Sequence, residues 1–112
     1  MIELECRNVW FYSPSDESAF FAWAESIPAV VSIDGRGRSI FLAVKSRRIS
    51  DESLRELLAL FRRYPISMKQ LAQFKNDRNS SWFCTPEAFW FTQVFGKNRT
   101  DRSTRGAKEA RR

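Results

Sequence analysis

At 112 residues, with 43% hydrophobic and 14% aromatic residues, the chain has the apolar material for one domain with a genuine core and is too short for two. That composition excludes a disordered chain, and no apolar run approaches the roughly 18 residues that would cross a bilayer. The net charge of +6 is concentrated: 97–112 holds seven basic and two acidic residues, whereas 1–96 holds twelve and eleven, so a charge argument for nucleic acid concerns the tail alone.

Ile2, Leu4 and Cys6 alternate with Glu3, Glu5 and Arg7, the two-residue period of a half-buried strand. The alternation breaks at Asn8, and Val9-Trp10-Phe11-Tyr12 is apolar on both faces. One strand is therefore predicted from Ile2 to Tyr12, bulged near Asn8, with its second half deeper in the sheet. Ser13-Pro14-Ser15-Asp16 then reads as a helix start: Ser13 caps, Pro14 fits the first helical position, and Asp16 stands three residues after the cap. This helix carries Phe20, Trp23, Ala24 and Ile27 on one face, with Phe21 at its margin, and Pro28 ends it.

Ala29 to Asp34 and Ser39 to Val44 read as strands joined by the hairpin turn Asp34-Gly35-Arg36-Gly37. The strongest pattern follows from Ser50 to Tyr64. Leu54, Leu57, Leu58 and Phe61 fall at i, i+3, i+4 and i+7, Ser50 caps, acidic and basic residues suit the two ends of the helix dipole, and Pro65 stops it.

Met68–Phe74 fits two patterns, a strand with Met68, Gln70, Ala72 and Phe74 on one face or a short helix with Met68, Leu71 and Ala72 inward. The strand is favoured because it completes a sheet after a connection of normal length. Asn76 to Ser81 reads as a polar loop. Thr85 then caps a last short helix with Pro86 at its first position, buried by Phe89, Trp90, Val94 and Phe95 and stopped by Gly96.

The predicted order is β-α-β-β-α-β plus a third helix, an α+β, ferredoxin-like sandwich over 1–96. The third helix would cover the sheet's open face or close an edge. A flexible basic tail is expected over 97–112.

The chain has no histidine, the commonest general base and metal ligand. Cys6 and Cys84 lack metal-binding spacing and read as buried thiols. No phosphate-cradling glycine motif occurs, and a hairpin accounts for Gly35-Arg36-Gly37. Asp16, Glu17, Asp51, Glu52 and Glu56 lie where a helix dipole already favours carboxylates. The chain is therefore expected not to be an enzyme and to need no cofactor or metal. An acidic, alternating N-terminus, unlike a signal peptide, and the sparse cysteines point to a cytoplasmic protein without a membrane partner.

Two binding readings follow. The element order is that of RNA-recognition domains, which stack bases on strand aromatics; Trp10, Phe11, Tyr12 and Phe41 would supply the rings and the basic tail the phosphate contacts. However, the strand Ser39–Val44 offers one aromatic where that family has several.

The other reading comes from a resemblance. Leu54–Tyr64, Met68–Phe74, Trp82-Phe83, Phe89-Trp90 and Val94-Phe95-Gly96 are similar in hydrophobic pattern to segments of small bacterial immunity proteins of contact-dependent growth inhibition and other polymorphic toxin systems. The likeness runs from about Val9 to Gly96. It implies a cytoplasmic protein that binds a cognate toxin domain and covers its active site or its target site. Members that neutralise nucleases are often acidic, and this nearly neutral core with a basic tail departs from that.

The expectation carried forward is a non-catalytic protein-binding module that neutralises a toxin domain, with a small nucleic-acid-binding module as the alternative. Its expected contact residues are Asp16, Glu17, Arg36, Arg38, Asp51, Glu52, Glu56, Asp77, Arg78 and Asn79.

Overall fold

Both long helices begin where a serine can cap them. In the computed structural model, which describes residues 1–96, Ser13 Oγ accepts from Asp16 N–H at 3.1 Å and starts α1 (Pro14–Ser26). Ser50 Oγ accepts from Ser53 N–H at 3.1 Å and starts α2 (Asp51–Arg63). The expected basic tail, 97–112, lies outside the described residues. Met1–Phe74 is one compact unit, and a second begins at Lys75.

The first unit is an α+β fold in the order β1 (Ile2–Arg7), α1, β2 (Val30–Arg36), β3 (Ser39–Val44), α2. The sheet is antiparallel in the order β1-β3-β2. Leu4 lies opposite Leu42 and Cys6 opposite Ile40, which puts these four apolar residues on one face. Leu4, Cys6, Leu42 and Val44 are buried there, and the core is completed by Phe20, Ala24 and Ile27 near α1 and by Leu54, Leu57, Leu58 and Phe61 of α2.

Three ties hold the helices antiparallel. Ala29 N–H donates to Ser53 Oγ at 3.2 Å, Trp23 Nε1–H to Glu56 Oε1 at 2.8 Å, and the Tyr64 hydroxyl to Asp16 Oδ1 at 3.1 Å.

Four expectations are corrected. First, β1 ends at Arg7, not Tyr12. Asn8 takes φ 53°, a left-handed conformation that asparagine tolerates and that a strand cannot continue through. Secondly, Gly35 stays within β2; Arg36 pairs with Ser39, leaving the two-residue turn Gly37-Arg38, with Gly37 at φ 59°. The irregularity in this sheet lies between Val30 and Ser32, where Val31 is extra and turns outward.

Thirdly, Met68–Phe74 is a 3₁₀ helix, so the described sheet has three strands and the predicted fourth is absent from it. Its buried residues are Met68, Leu71 and Phe74, spaced by three as a helix with three residues per turn requires. Gln70 from this helix takes the place a fourth strand would fill. Its carboxamide accepts from Glu5 N–H at 2.6 Å and donates to Glu5 O at 2.8 Å, satisfying both outward groups of that β1 residue.

Fourthly, Thr85 does not start a continuous helix. In the second unit α3 (Ser80–Phe83) and α4 (Phe91–Phe95) are separated by turns in which Ala88 N–H bonds Thr85 O and Phe91 N–H bonds Ala88 O. Gly96 ends α4 at φ 83° as expected. Trp90 is tied by its indole N–H to Phe83 O at 2.7 Å, and Phe83 packs on Phe95 with ring centres 5.0 Å apart. Phe89, expected inside, is 52% exposed. Among the described residues no helix is long and apolar enough to cross a membrane.

Candidate functional site

The left-handed turn at Asn8 takes the chain out of the sheet, and the next residues split by direction. Phe11 turns inward and packs on Phe20, Tyr64 and Phe21, with ring centres 5.4, 6.1 and 6.4 Å away. Its neighbours Trp10 and Tyr12 turn outward and are 72% and 86% exposed. The segment is pinned at both ends: Asn8 N–H donates to Arg38 O at 2.9 Å, and Tyr12 N–H donates to Asp16 Oδ2 at 3.0 Å. Two large rings are thus presented to solvent from a loop anchored by the half-buried, inward-packed ring of Phe11 between them.

They stand over a groove of about 530 Å³ formed within the first unit. Trp10, Tyr12, Trp23 and Tyr64 supply its aromatic lining, and Asp16 and Arg63 its charges. Asn8, Ala19 and Pro65 fill the gaps between them. The rings form two edge-to-face pairs, Trp10 with Tyr12 and Trp23 with Tyr64, each with centres 6.5 Å apart. Trp23 is oriented by its bond to Glu56, and Tyr64 by its bond to Asp16. Burial raises the Tyr64 hydroxyl above its ordinary value of 10.0, and the hydrogen bond and charge of Asp16 add to that while Arg63 opposes it. Tyr64 is therefore a neutral hydrogen-bond donor at physiological pH.

The residues expected at an interface are not one patch. Asp16 lines the groove, Glu17 follows it on α1 and is exposed, and Glu56 touches the groove's Trp23. Asp51 and Glu52 are exposed in the first turn of α2. They lie about 18 Å along the helix axis from Arg63, at ~1.5 Å per residue.

Arg36 is committed to the polar sheet face. It pairs with Glu3 and with Asp34 (2.9 Å), and its guanidinium lies 3.9 Å from the ring centre of Phe41. The aromatic row expected on the strands is not formed, because Trp10 and Tyr12 have left the sheet and Phe41 is covered by Arg36. Arg38 is exposed in the β2–β3 turn. In the second unit Asp77 and Arg78 are exposed, whereas Asn79 is buried, its Oδ1 accepting from Asn76 N–H at 2.9 Å. Asn79 thus shapes its own loop.

Sequence reasoning missed Arg63, Tyr64, Trp23 and Pro65 as groove residues, because their helical positions explained them fully. The one signal in the sequence is the break in alternation at Asn8, which fits an exit from the sheet as well as a bulge within it. Comparison with protein-family models, curated proteins and solved structures finds no match to this chain.

Proposed function

We propose that this chain is a non-catalytic protein-binding module that docks its partner over the groove framed by Trp10, Tyr12, Trp23 and Tyr64. The observation that carries the reading is the pair of outward rings on a loop anchored by Phe11. Trp, Tyr and Arg dominate the binding energy of protein interfaces, and a ring held in place before binding loses little entropy when covered.

Covering most of Trp10 and Tyr12 would bury roughly 250–350 Å² of apolar surface, about 6–9 kcal/mol gross at ~25 cal/mol/Å². Association itself costs about 4–15 kcal/mol, so the two rings need a surrounding interface of standard size, roughly 800 Å² per partner, to make a stable complex. A toxin domain, neutralised by having its working surface covered, is the partner we carry forward. The absence of histidine suits a role in which the chain binds without reacting.

The test is photo-crosslinking in the producing cell from residues placed at positions 10 and 12, with position 25 as a control. The crosslinked protein is then identified, purified and titrated. The reading expects one protein crosslinked from both groove positions and not from the control, bound by purified 1–112. Fluorescence anisotropy showing that 1–96 binds single-stranded RNA at physiological salt, with binding abolished in W10A/Y12A, would replace it with the nucleic-acid reading.

A further inference from the structure

We infer that the outer edge of β2 pairs with β2 of a second copy of this chain, antiparallel about a two-fold axis at Gly35, so that two three-stranded sheets join into one. This inference does not depend on the docking reading above.

The sheet ends in two edge strands, β1 and β2. On β1 the Gln70 carboxamide bonds both outward groups of Glu5. On β2 no side chain takes that place among the described residues. Asn8 N–H bonds Arg38 O, so even-numbered residues of β3 bond β1 and odd-numbered ones bond β2. Ser32, Asp34 and Arg36 lie opposite those odd-numbered residues and point their backbone groups into the sheet. The N–H and C=O of Ile33 and Gly35 therefore point outward, and they have no hydrogen-bond partner among the described residues. Such an edge is a template for another strand.

The core is open on the same side. Leu4 and Cys6 of β1 and Leu42 and Val44 of β3 are buried, whereas Val30 and Ile33 on that face of β2 are half-buried and Gly35 is exposed. A Cβ at Gly35 would meet nothing within 4 Å. A glycine inside a strand lets a second backbone approach closely.

Charge and the bulge select both the occupant and the register. Outward groups must bond outward groups, which restricts the axis to a few positions. An axis at Ile33 sets the extra residue Val31 opposite Gly35 of the second copy, where the bulge interrupts the ladder. An axis at Asp34 sets two copies of its carboxylate against each other. An axis at Gly35 puts Asp34 opposite Arg36 of the second copy, and Arg36 opposite its Asp34, on the polar face. Ile33 then lies diagonally across from the open space beside the second copy's Gly35. Asp34 and Arg36 are exposed and bond each other within one chain at 2.9 Å. A carboxylate with about four acceptor sites and a guanidinium with five donors can also bond across the axis. The pattern is its own complement, as a two-fold interface requires. Residues 1–96, with twelve basic and eleven acidic side chains, carry almost no net charge to oppose self-association.

The experiment is sedimentation of 1–112 in reductant from about 10 µM to 1 mM, with amide exchange measured at both ends of that range. One strand pair makes a small interface, so the expected result is a reversible dimer with a dissociation constant of roughly 10–100 µM. Exchange at Ile33 and Gly35 should slow as the dimer fills. Asp34→Arg and Arg36→Asp each set like charges opposite one another and should each weaken the dimer about tenfold or more. Mixed in equal amounts, these two variants should form a heterodimer about as tight as the wild-type dimer, because the mixture restores opposite charges across both pairs. Gly35→Pro removes an N–H that the monomer does not use and should abolish the dimer.

A chain that stays monomeric at about 1 mM overturns the inference. So does a dimer whose formation slows exchange elsewhere and not at Ile33 and Gly35. A dimer that folded Asp34→Arg and Gly35→Pro leave within about twofold of wild type overturns it as well. Should Gly35→Pro unfold, the mixture decides: absence of a heterodimer from the two charge variants refutes the pairing.

Discussion

Gln70 supplies with one side chain what a neighbouring strand would supply with its backbone. Asn8 N–H bonds Arg38 O at the end of the β1–β3 ladder, so even-numbered residues of β1 face β3 and odd-numbered ones look outward. Glu5 is an outward residue, and its N–H and C=O both bond the Gln70 carboxamide, at 2.6 and 2.8 Å. Gln70→Ala removes these two bonds and a third, from Nε2–H to Ser67 O at 2.9 Å, of about 0.5–1.5 kcal/mol net each, and water can replace much of that at a half-exposed site. The expected loss is about 1–2 kcal/mol, or a fall in Tm of roughly 5–15 °C for a unit of this size. Gln70→Glu should cost more than alanine, because it sets a carboxylate against the Glu5 carbonyl. Urea unfolding measures the loss, and amide exchange locates it: Glu5 should lose protection while Leu4 and Cys6 keep theirs through β3. The freed edge should also promote self-association at high concentration, detectable by sedimentation. If Glu5 exchanges at the same rate in wild type and Gln70→Ala, the side chain does not act as a strand substitute and the reasoning is refuted.

Ser53→Ala strands the buried Ala29 N–H, which now donates to Ser53 Oγ; urea unfolding should show a loss of about 1–3 kcal/mol. Asn8→Val forces a branched side chain into the left-handed region at φ 53° and should cost about 1–2 kcal/mol, whereas Asn8→Gly should be close to neutral. Burial, and then the nearby charge of Glu5, push the Cys6 thiol from 9.0 up to about 12. Below pH 9 both folded and unfolded thiols hold their proton. Between pH 9 and about 12 only the folded one does, so stability should fall as pH rises, with a slope approaching ~1.4 kcal/mol per pH unit that Cys6→Ala lacks. Tyr64 acts in the same direction above pH 10.0, and Tyr64→Phe should flatten its share of the alkaline loss.

The parts of the fold that could be read from the residues are those set by local chemistry. Ser13 with Pro14, and Ser50 with the leucine stripe, define α1 and α2 because capping and periodicity act within a turn or two. What could not be read depends on backbone geometry or on distant partners. Met68–Phe74 satisfied two periodicities, and the outcome follows the three-residue spacing of Met68, Leu71 and Phe74, with the sheet edge satisfied by Gln70 at a distance of 65 residues along the chain. The groove was hidden for a similar reason. Whether Val9–Tyr12 stays in the sheet turns on one φ angle at Asn8, and hydrophobicity does not distinguish the inward Phe11 from the outward Trp10 and Tyr12. Of the expected contact residues, the dipole-favoured Asp16 and Glu56 converge on the groove because the antiparallel helices bring them there, and Asn79 is withdrawn into its own loop.

That Trp10 and Tyr12 carry the docking energy is tested most directly by calorimetric titration of the crosslinked partner into wild type and W10A/Y12A, with thermal unfolding of each alongside. Both side chains are exposed, so Tm should stay within a few degrees, while affinity should fall by about 30-fold or more, the loss of a hot spot worth ~2 kcal/mol. Affinity within about twofold of wild type at equal Tm would show that the partner binds elsewhere and would contradict the assignment of this groove as the docking site.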